Sequence, residues 1–127
     1  MTQPTARKTI VVVEDDDDIG AFLVQTISQE THYHTLLVSD GIQALEVTRN
    51  LIPDLLIIDY LLPHMNGIEL CDILQSRKEL VAIPIIMISA HLPIHEISKR
   101  RMIGIKKPFD LHKLLDAIQK SLDSSFP

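Results

Sequence analysis

Short apolar runs alternate along the chain with stretches whose apolar residues recur at every third or fourth position. The runs are rich in Ile, Val and Leu, a composition typical of strands that are buried on both faces. They predict five strands, at residues 9–13, 34–38, 55–58, 83–88 and 103–106.

The stretches between these runs predict helices, because their apolar residues form stripes with the helical period. The first helix is capped by Asp16 or Asp17, and the last follows a cap at Asp110. The stripes of the first, third and last helices are Ile19, Phe22, Leu23 and Ile27; Ile68, Cys71 and Leu74; and Leu111, Leu114, Leu115, Ile118 and Leu122.

Two further helices have weaker patterns. One starts at the turn Asp40-Gly41 and runs to about Asn50, and the other is a short basic helix that opens at Pro93 and extends to about Arg101. Five strands alternating with five helices predict an α/β fold, a doubly wound parallel sheet with right-handed crossovers and helices on both faces.

The 127 residues are enough for one domain with its own core, so we expect a single domain over residues 1–127. Within it, residues 1–7 are expected to form a flexible lead-in and residues 123–127 a flexible tail. The formal charge of -5 argues against direct nucleic-acid binding. A single cysteine, Cys71, and the absence of a signal-peptide pattern or long apolar run predict a cytoplasmic protein without membrane insertion.

Polar residues follow four of the predicted strands. Glu14 and Asp15 follow the first, Asp59 the third, Ser89 the fourth and Lys107 the fifth. The carboxyl ends of parallel strands meet at one edge of the sheet, so these side chains are expected to lie together. Carboxylates a few ångströms apart repel by about 4 kcal/mol per pair at an effective dielectric near 20. A hard divalent cation resolves that repulsion, and an all-oxygen donor set favours Mg²⁺.

The two other residues at this edge suit an anionic substrate. Lys107 offers a compact positive charge and Ser89 a hydroxyl donor, which are the groups that phosphoryl oxygens require. The set of residues therefore predicts phosphoryl transfer onto Asp59.

Four motifs, in this order along the chain, resemble the receiver domain of two-component response regulators. They are Val12-Val13-Glu14-Asp15, the Asp59 strand with Pro63 and Gly67, the strand that runs from Pro84 to Ala90, and Lys107-Pro108-Phe109. The resemblance covers nearly the whole chain and implies a flavodoxin-like, CheY-like sheet with strand order 2-1-3-4-5.

The resemblance also implies roles for the site residues. Asp59 would accept a phosphoryl group from a histidine kinase or a histidine phosphotransfer protein, as a signalling phosphoacceptor rather than an enzyme acting on other substrates. Mg²⁺ would be held by Asp15, Asp59 and the backbone carbonyl of Leu61, with Glu14 acting through water. Ser89 and Lys107 would hold the phosphoryl oxygens. The signal would pass to a downstream protein target, from a monomer or a phosphorylation-dependent dimer.

The chain departs from the family pattern at residue 104, where receivers usually carry an aromatic residue and this sequence has glycine. The interval from Ser89 to Lys107 is also shorter than usual, which predicts a shortened fourth helix region. Leu61 and His91 occupy positions that modulate phosphoryl lifetime in the family. Lys107-Pro108 is a candidate cis peptide.

Two alternative functions compete with this interpretation. A phosphatase of the haloacid dehalogenase type also uses a strand-end aspartate, but it needs a second aspartate two residues later, where this chain has Leu61. The other alternative is a degenerate receiver that binds proteins independently of phosphorylation. The presence of all five site residues argues against it, and Gly104 keeps it open.

Overall fold

The computed structural model describes residues 7–123, so the predicted lead-in and tail lie almost entirely outside the described residues. The strands are β1 (Thr9–Val13), β2 (His34–Val38), β3 (Leu55–Asp59), β4 (Ile85–Ser89) and β5 (Met102–Lys106). The helices are α1 (Asp17–Glu30), α2 (Gly41–Val47), α3 (Gly67–Gln75), α4 (Ile94–Ser98) and α5 (Leu111–Leu122), and a short 3-10 helix spans Lys78–Leu80.

The five strands form one parallel sheet in the order β2-β1-β3-β4-β5. This confirms the predicted doubly wound fold, its strand order and its short fourth helix, which has five residues. No helix among residues 7–123 combines the length and the apolar character needed to cross a bilayer.

The sheet separates two apolar cores because successive side chains of a strand point to opposite faces. On one face, Ile10, Val12, Ile57 and Ile88 pack with residues of α1 and α5. On the other face, alternate strand residues such as Val11 pack with residues of α2, α3 and α4. Since both faces are covered, polar side chains are accommodated at the strand ends.

Polar side chains begin four of the five helices. The carboxylates of Asp16, Asp40 and Asp110 each accept a hydrogen bond from a backbone N–H in the first turn of α1, α2 and α5. Asn66 and Glu69 form a reciprocal capping box at the start of α3. Each cap therefore ends the loop that connects a strand to the helix after it.

Several predicted element ends differ from the structure. Helix α2 ends at Val47 rather than near Asn50, and beyond it the Arg49 N–H donates to the Glu46 carbonyl, three residues earlier, in a tighter turn. Strand β4 begins at Ile85, after Pro84, which has no N–H for a strand ladder. Helix α4 ends at Ser98 rather than near Arg101, and Pro93 is its N-cap rather than part of its first turn.

Candidate functional site

Three carboxylates meet at the carboxyl edge of the sheet. Glu14 and Asp15 follow β1, and Asp59 is the last residue of the adjacent β3. One oxygen from each carboxylate lies within 4.8 Å of the other two. Glu14 and Asp59 are buried, whereas Asp15 is exposed. Such a donor set fits Mg²⁺, which takes oxygen ligands from one or two carboxylates and retains several waters on an open side.

Lys107 directly follows β5 and contributes the positive charge of the site. Its backbone N–H donates to the Ser89 carbonyl at 2.9 Å, which extends the pairing of β5 with β4 and directs the lysine toward the sheet edge. Its Nζ lies 3.1 Å from Glu14 Oε1 and 3.3 Å from Asp59 Oδ2. Burial lowers the pKa of Lys107, but its hydrogen bond to Glu14 and its attraction to both carboxylates raise that pKa above its ordinary value. The ammonium group is therefore charged at neutral pH.

Glu14 is the most perturbed carboxyl group of the site. Burial disfavours its charged form, the Asp59 carboxylate beside it adds repulsion, and the pKa of Glu14 rises to about 7. The contact with Lys107 and the Asp16 N–H, which donates to Glu14 Oε2 at 3.2 Å, offset part of this rise. Glu14 is thus poised to lose a proton when a cation enters.

The loop after β3 folds back closely over the end of that strand. The Gly67 N–H donates to the Tyr60 carbonyl at 2.7 Å, and a Cβ at position 67 would lie 2.7 Å from the Asp59 carbonyl oxygen. The Leu61 N–H faces Asp59 Oδ1 at 3.4 Å, a long contact that the sequence did not predict. His64, at φ 72°, turns the loop in the left-handed region. The role of the Leu61 carbonyl as a metal ligand stays a prediction.

Ser89 ends β4 between the strands that carry Asp59 and Lys107. It is buried, and its Oγ accepts a hydrogen bond from the His91 N–H at 3.1 Å. The His91 residue itself is exposed. The Lys107-Pro108 bond is cis, as predicted. The structure thus places all the predicted site residues at the same edge of the sheet.

An apolar cavity lies beside Lys107, and no sequence pattern predicted it. It has a volume of about 470 Å³, and the Phe22 residue at its wall is 50% exposed. Phe22 belongs to the apolar stripe that predicted the first helix, and the structure shows that this aromatic residue is half-exposed next to the site. The lining residues are Asp18, Ile19, Phe22, Ala90, Lys107, Pro108 and Phe109.

Comparison with known proteins is consistent with this geometry. The chain matches the family model of the response regulator receiver domain over residues 10–119. The DNA-binding response regulator MtrA of Mycobacterium tuberculosis is 33% identical over 122 residues, which cover 93% of this chain and 52% of that protein. The Regulator of RpoS of Escherichia coli is 33% identical over 123 residues, covering 93% of this chain and 36% of that protein. The chain therefore spans about half, or less, of the length of these relatives.

A solved structure shows the same fold. The chemotaxis response regulator CheY4 of Vibrio cholerae superposes with a TM-score of 0.83 at 21% identity, over 92% of this chain and all of that chain (100%). Sequence, sheet order and the match to the family model agree, and the chain belongs to the family of response regulator receiver domains of two-component signalling systems.

Proposed function

We propose that Asp59 is the phosphoacceptor of this receiver domain and that its donor is the phosphohistidine of a histidine kinase or a histidine phosphotransfer protein. One observation carries the proposal. Among residues 7–123, Asp59 and Glu14 are the two carboxylates that have both the Lys107 ammonium within 3.3 Å and two further carboxylates within metal-ligand distance. Burial raises the pKa of Glu14 to about 7, so Glu14 is partly protonated near neutral pH and is the poorer nucleophile of the two, which favours Asp59. This combination suits a nucleophile that attacks a phosphoryl group held by a cation and a lysine.

In the proposed reaction an Asp59 carboxylate oxygen attacks the phosphorus atom. A new O–P bond forms, the N–P bond to the donor histidine breaks, and the released imidazole takes a proton from solvent. Asp15, Asp59 and the Leu61 carbonyl would hold Mg²⁺, with Glu14 acting through water, and the cation would supply positive charge against the phosphoryl oxygens. Asp59 sits at the end of a fully buried strand, which fixes its carboxylate for attack.

Two side chains of the site are proposed to hold the phosphoryl oxygens. The Lys107 ammonium already contacts the Asp59 carboxylate, so a small rotation brings it to a phosphoryl oxygen. The Ser89 hydroxyl, which accepts from His91, retains its own proton to donate to a second oxygen.

The proposed output is protein-protein contact with a downstream target, and two exposed residues are proposed to set how long the signal lasts. Leu61, 61% exposed, and His91 follow Asp59 and Ser89 by two positions each. From there their side chains control how water approaches the acyl phosphate, because hydrolysis needs a water in line with the O–P bond.

The first prediction tests the phosphoacceptor directly. Acetyl phosphate with Mg²⁺ is expected to add one phosphoryl group to the wild-type protein, and Asp59→Asn is expected to abolish the addition, since an amide is a poor nucleophile. Intact-protein mass spectrometry measures both. Asp116→Asn, which changes an exposed carboxylate on α5, is the matched control and should be labelled like the wild type. Equal labelling of Asp59→Asn would contradict the assignment.

The alternative function is a receiver that binds its partner independently of phosphorylation. The observation in its favour is Gly104, which places no side chain at a position where receivers usually carry an aromatic residue. A wild-type protein that fails to be labelled, while still binding Mg²⁺, would favour this alternative.

A further inference from the structure

Strand β2 forms one edge of the sheet, and its sequence lacks the residues that usually keep an edge strand from pairing. Residues His34–Val38 include no proline and no lysine, arginine or carboxylate. The opposite edge strand, β5, directly follows exposed Arg101 and ends in exposed Lys106. Because charged residues discourage a second strand from adding to a free edge, β5 is protected and β2 is open to pairing.

Two residues of β2 direct their backbone groups away from the sheet. The His34 N–H and the Val38 carbonyl make hydrogen bonds to the residues that flank β1, at 2.8 and 3.0 Å. The direction of the backbone groups alternates along a strand, so residues 34, 36 and 38 face β1. Both the N–H and the carbonyl of Thr35 and of Leu37 consequently face the free edge. These two residues offer donors and acceptors to an added strand.

The next outward N–H group at each end of β2 is already paired within the chain. The Tyr33 N–H donates to Thr31 Oγ1 at 3.2 Å, and the Ser39 N–H donates to Gln43 Oε1 at 3.0 Å. A strand that adds to this edge therefore finds its free donors between Tyr33 and Ser39. The local hydrogen bonds thus fix both the length and the position of the pairing.

We propose that two copies of this chain associate by pairing their β2 strands antiparallel, about a two-fold axis at Leu36, so that the two sheets become one. In this register Thr35 of one copy lies opposite Leu37 of the other, and each such pair exchanges both of its N–H···O=C bonds. The symmetry repeats the same pair on the other side of the axis. A register shifted by two residues sets one of these residues against a residue whose N–H is already bonded, so the hydrogen bonds select the axis at Leu36.

The side chains on the α2 face of the sheet complement each other in the same register. Leu36 and Val38 pack on this face, and alternation places exposed His34 there too. The pairing sets His34 of one copy opposite Val38 of the other, beside an open groove of about 400 Å³ that Ile42 and Glu46 help to line. Ile42 is 55% exposed and offers apolar contact, and the exposed Glu46 carboxylate accepts a hydrogen bond from the imidazole.

The pairing also covers two apolar side chains that a single chain leaves partly in water. Leu37, 38% exposed on the α1 face, lies against Thr35 of the other copy, and half-buried Leu36 lies against its own counterpart across the axis. Cross-strand pairs of this kind stabilise a sheet. Because β1 separates β2 from the strand that carries Asp59, the association does not depend on phosphorylation.

The first test compares the two edges of the sheet by sedimentation velocity, without a phosphoryl donor and at protein concentrations up to about 1 mM. The wild type is expected to sediment faster as its concentration rises. Leu37→Lys is expected to associate at least about tenfold more weakly, because lysine on an edge strand opposes pairing.

Ile103→Lys is the matched control, since Ile103 lies on the opposite edge strand and is also 38% exposed. This variant should associate like the wild type, and so should Asp59→Asn, which lacks the proposed phosphoacceptor. A wild type that stays monomeric throughout the concentration range would overturn the proposal. An equal loss of association in Ile103→Lys would place the contact at β5 and would also overturn it.

The second test places charges on the proposed axis. Leu36→Lys and Leu36→Glu are each expected to be monomeric, because like charges then face each other across the axis. An equimolar mixture of the two variants should recover association, because each lysine then meets a glutamate. Circular dichroism establishes that both variants keep the secondary structure of the wild type. A mixture of folded variants that remains monomeric would overturn the pairing about Leu36.

Discussion

Lys107 cannot neutralise the three carboxylates around it, and this imbalance dominates the chemistry of the site. Its ammonium contacts Glu14 and Asp59, while Asp15 points into solvent close to both. Glu14 is the most buried of the three, and this burial, together with the neighbouring Asp59, raises the pKa of Glu14 to about 7. In the absence of a cation, Glu14 therefore holds a proton that it would not hold in an unfolded chain.

This proton makes the stability of the metal-free protein depend on pH. Because the pKa of Glu14 is raised from 4.5 to about 7 on folding, the folded state binds the extra proton, and stability falls as pH rises between these values. Glu14→Gln removes the titration and should flatten this part of the profile. Across this pH window the wild type is expected to lose about 1–3 kcal/mol more of its free energy of unfolding than Glu14→Gln does. Urea unfolding in the presence of a metal chelator measures this difference. Parallel profiles for the two proteins would contradict the assignment of the proton to Glu14.

His64 is strained by its backbone conformation, with φ at 72°. The left-handed region costs L-residues about 1–2 kcal/mol, and glycine avoids that cost while losing about 0.5–1 kcal/mol in chain entropy. His64→Gly is therefore expected to stabilise the protein by up to about 1 kcal/mol. Thermal unfolding measures the change, and His64→Ala, which keeps a Cβ, should bring no gain. A destabilised His64→Gly would show that the imidazole makes a contact worth more than the strain.

The positions of the site residues could be predicted from the sequence, but their state could not. Apolar runs locate strand ends, and parallel strands bring these ends together, so Asp59, Ser89 and Lys107 were correctly placed at one edge. The raised pKa of Glu14 depends on burial by residues distant in sequence. The left-handed conformation of His64 depends on how the loop closes over the strand, and no local pattern records it.

At the scale of elements, helix starts were easier to predict than helix ends. Capping residues such as Asp16 and Asp110 are chemically distinctive, and the structure confirms both. The ends depend on contacts that a periodic pattern does not contain. Helix α2 passes into a turn in which the Arg49 N–H donates to the Glu46 carbonyl, and Arg100 folds back onto the Glu96 carbonyl beyond the end of α4.

Two glycines, Gly67 at the start of α3 and Gly20 within α1, should respond oppositely to substitution by alanine. A Cβ at position 67 would lie 2.7 Å from the Asp59 carbonyl oxygen, a backbone atom that cannot move away cheaply. At position 20 it would lie 2.9 Å from Leu37 Cδ2, the end of a flexible side chain that is 38% exposed. Gly67→Ala is therefore expected to cost about 1–3 kcal/mol.

Gly20→Ala is the matched comparison, and it should be neutral or stabilising, because alanine is favoured over glycine inside a helix by about 1 kcal/mol. Urea denaturation midpoints compare the two variants with the wild type. Equal stability of the two variants would show that the loop after β3 can relax around an added methyl group, and that its close approach to Asp59 is not needed for the fold.

At the scale of the whole molecule, the sheet separates stability from chemistry. Residues such as Ile10 and Val11 are completely buried on opposite faces, so packing is provided by the body of the sheet. The charges collect at one edge, where β1, β3 and β5 end. This division explains why the fold and the location of the site followed from the sequence together. It also means that a ligand at the edge acts on a scaffold that is already folded.

Mg²⁺ should consequently stabilise the entire domain, because it binds a site that exists only in the folded state. At a concentration about 100 times the dissociation constant, a ligand adds about 2.7 kcal/mol, which for a chain of this size raises the melting temperature by roughly 10 °C. The increase should grow with pH through the window in which Glu14 loses its proton, near pH 7, since the neutral acid lacks the negative charge that attracts the cation. Differential scanning calorimetry across a Mg²⁺ titration measures both effects. Asp15→Asn removes an exposed carboxylate that is proposed to bind the cation and should reduce the increase, whereas an equal increase in this variant would place the cation elsewhere.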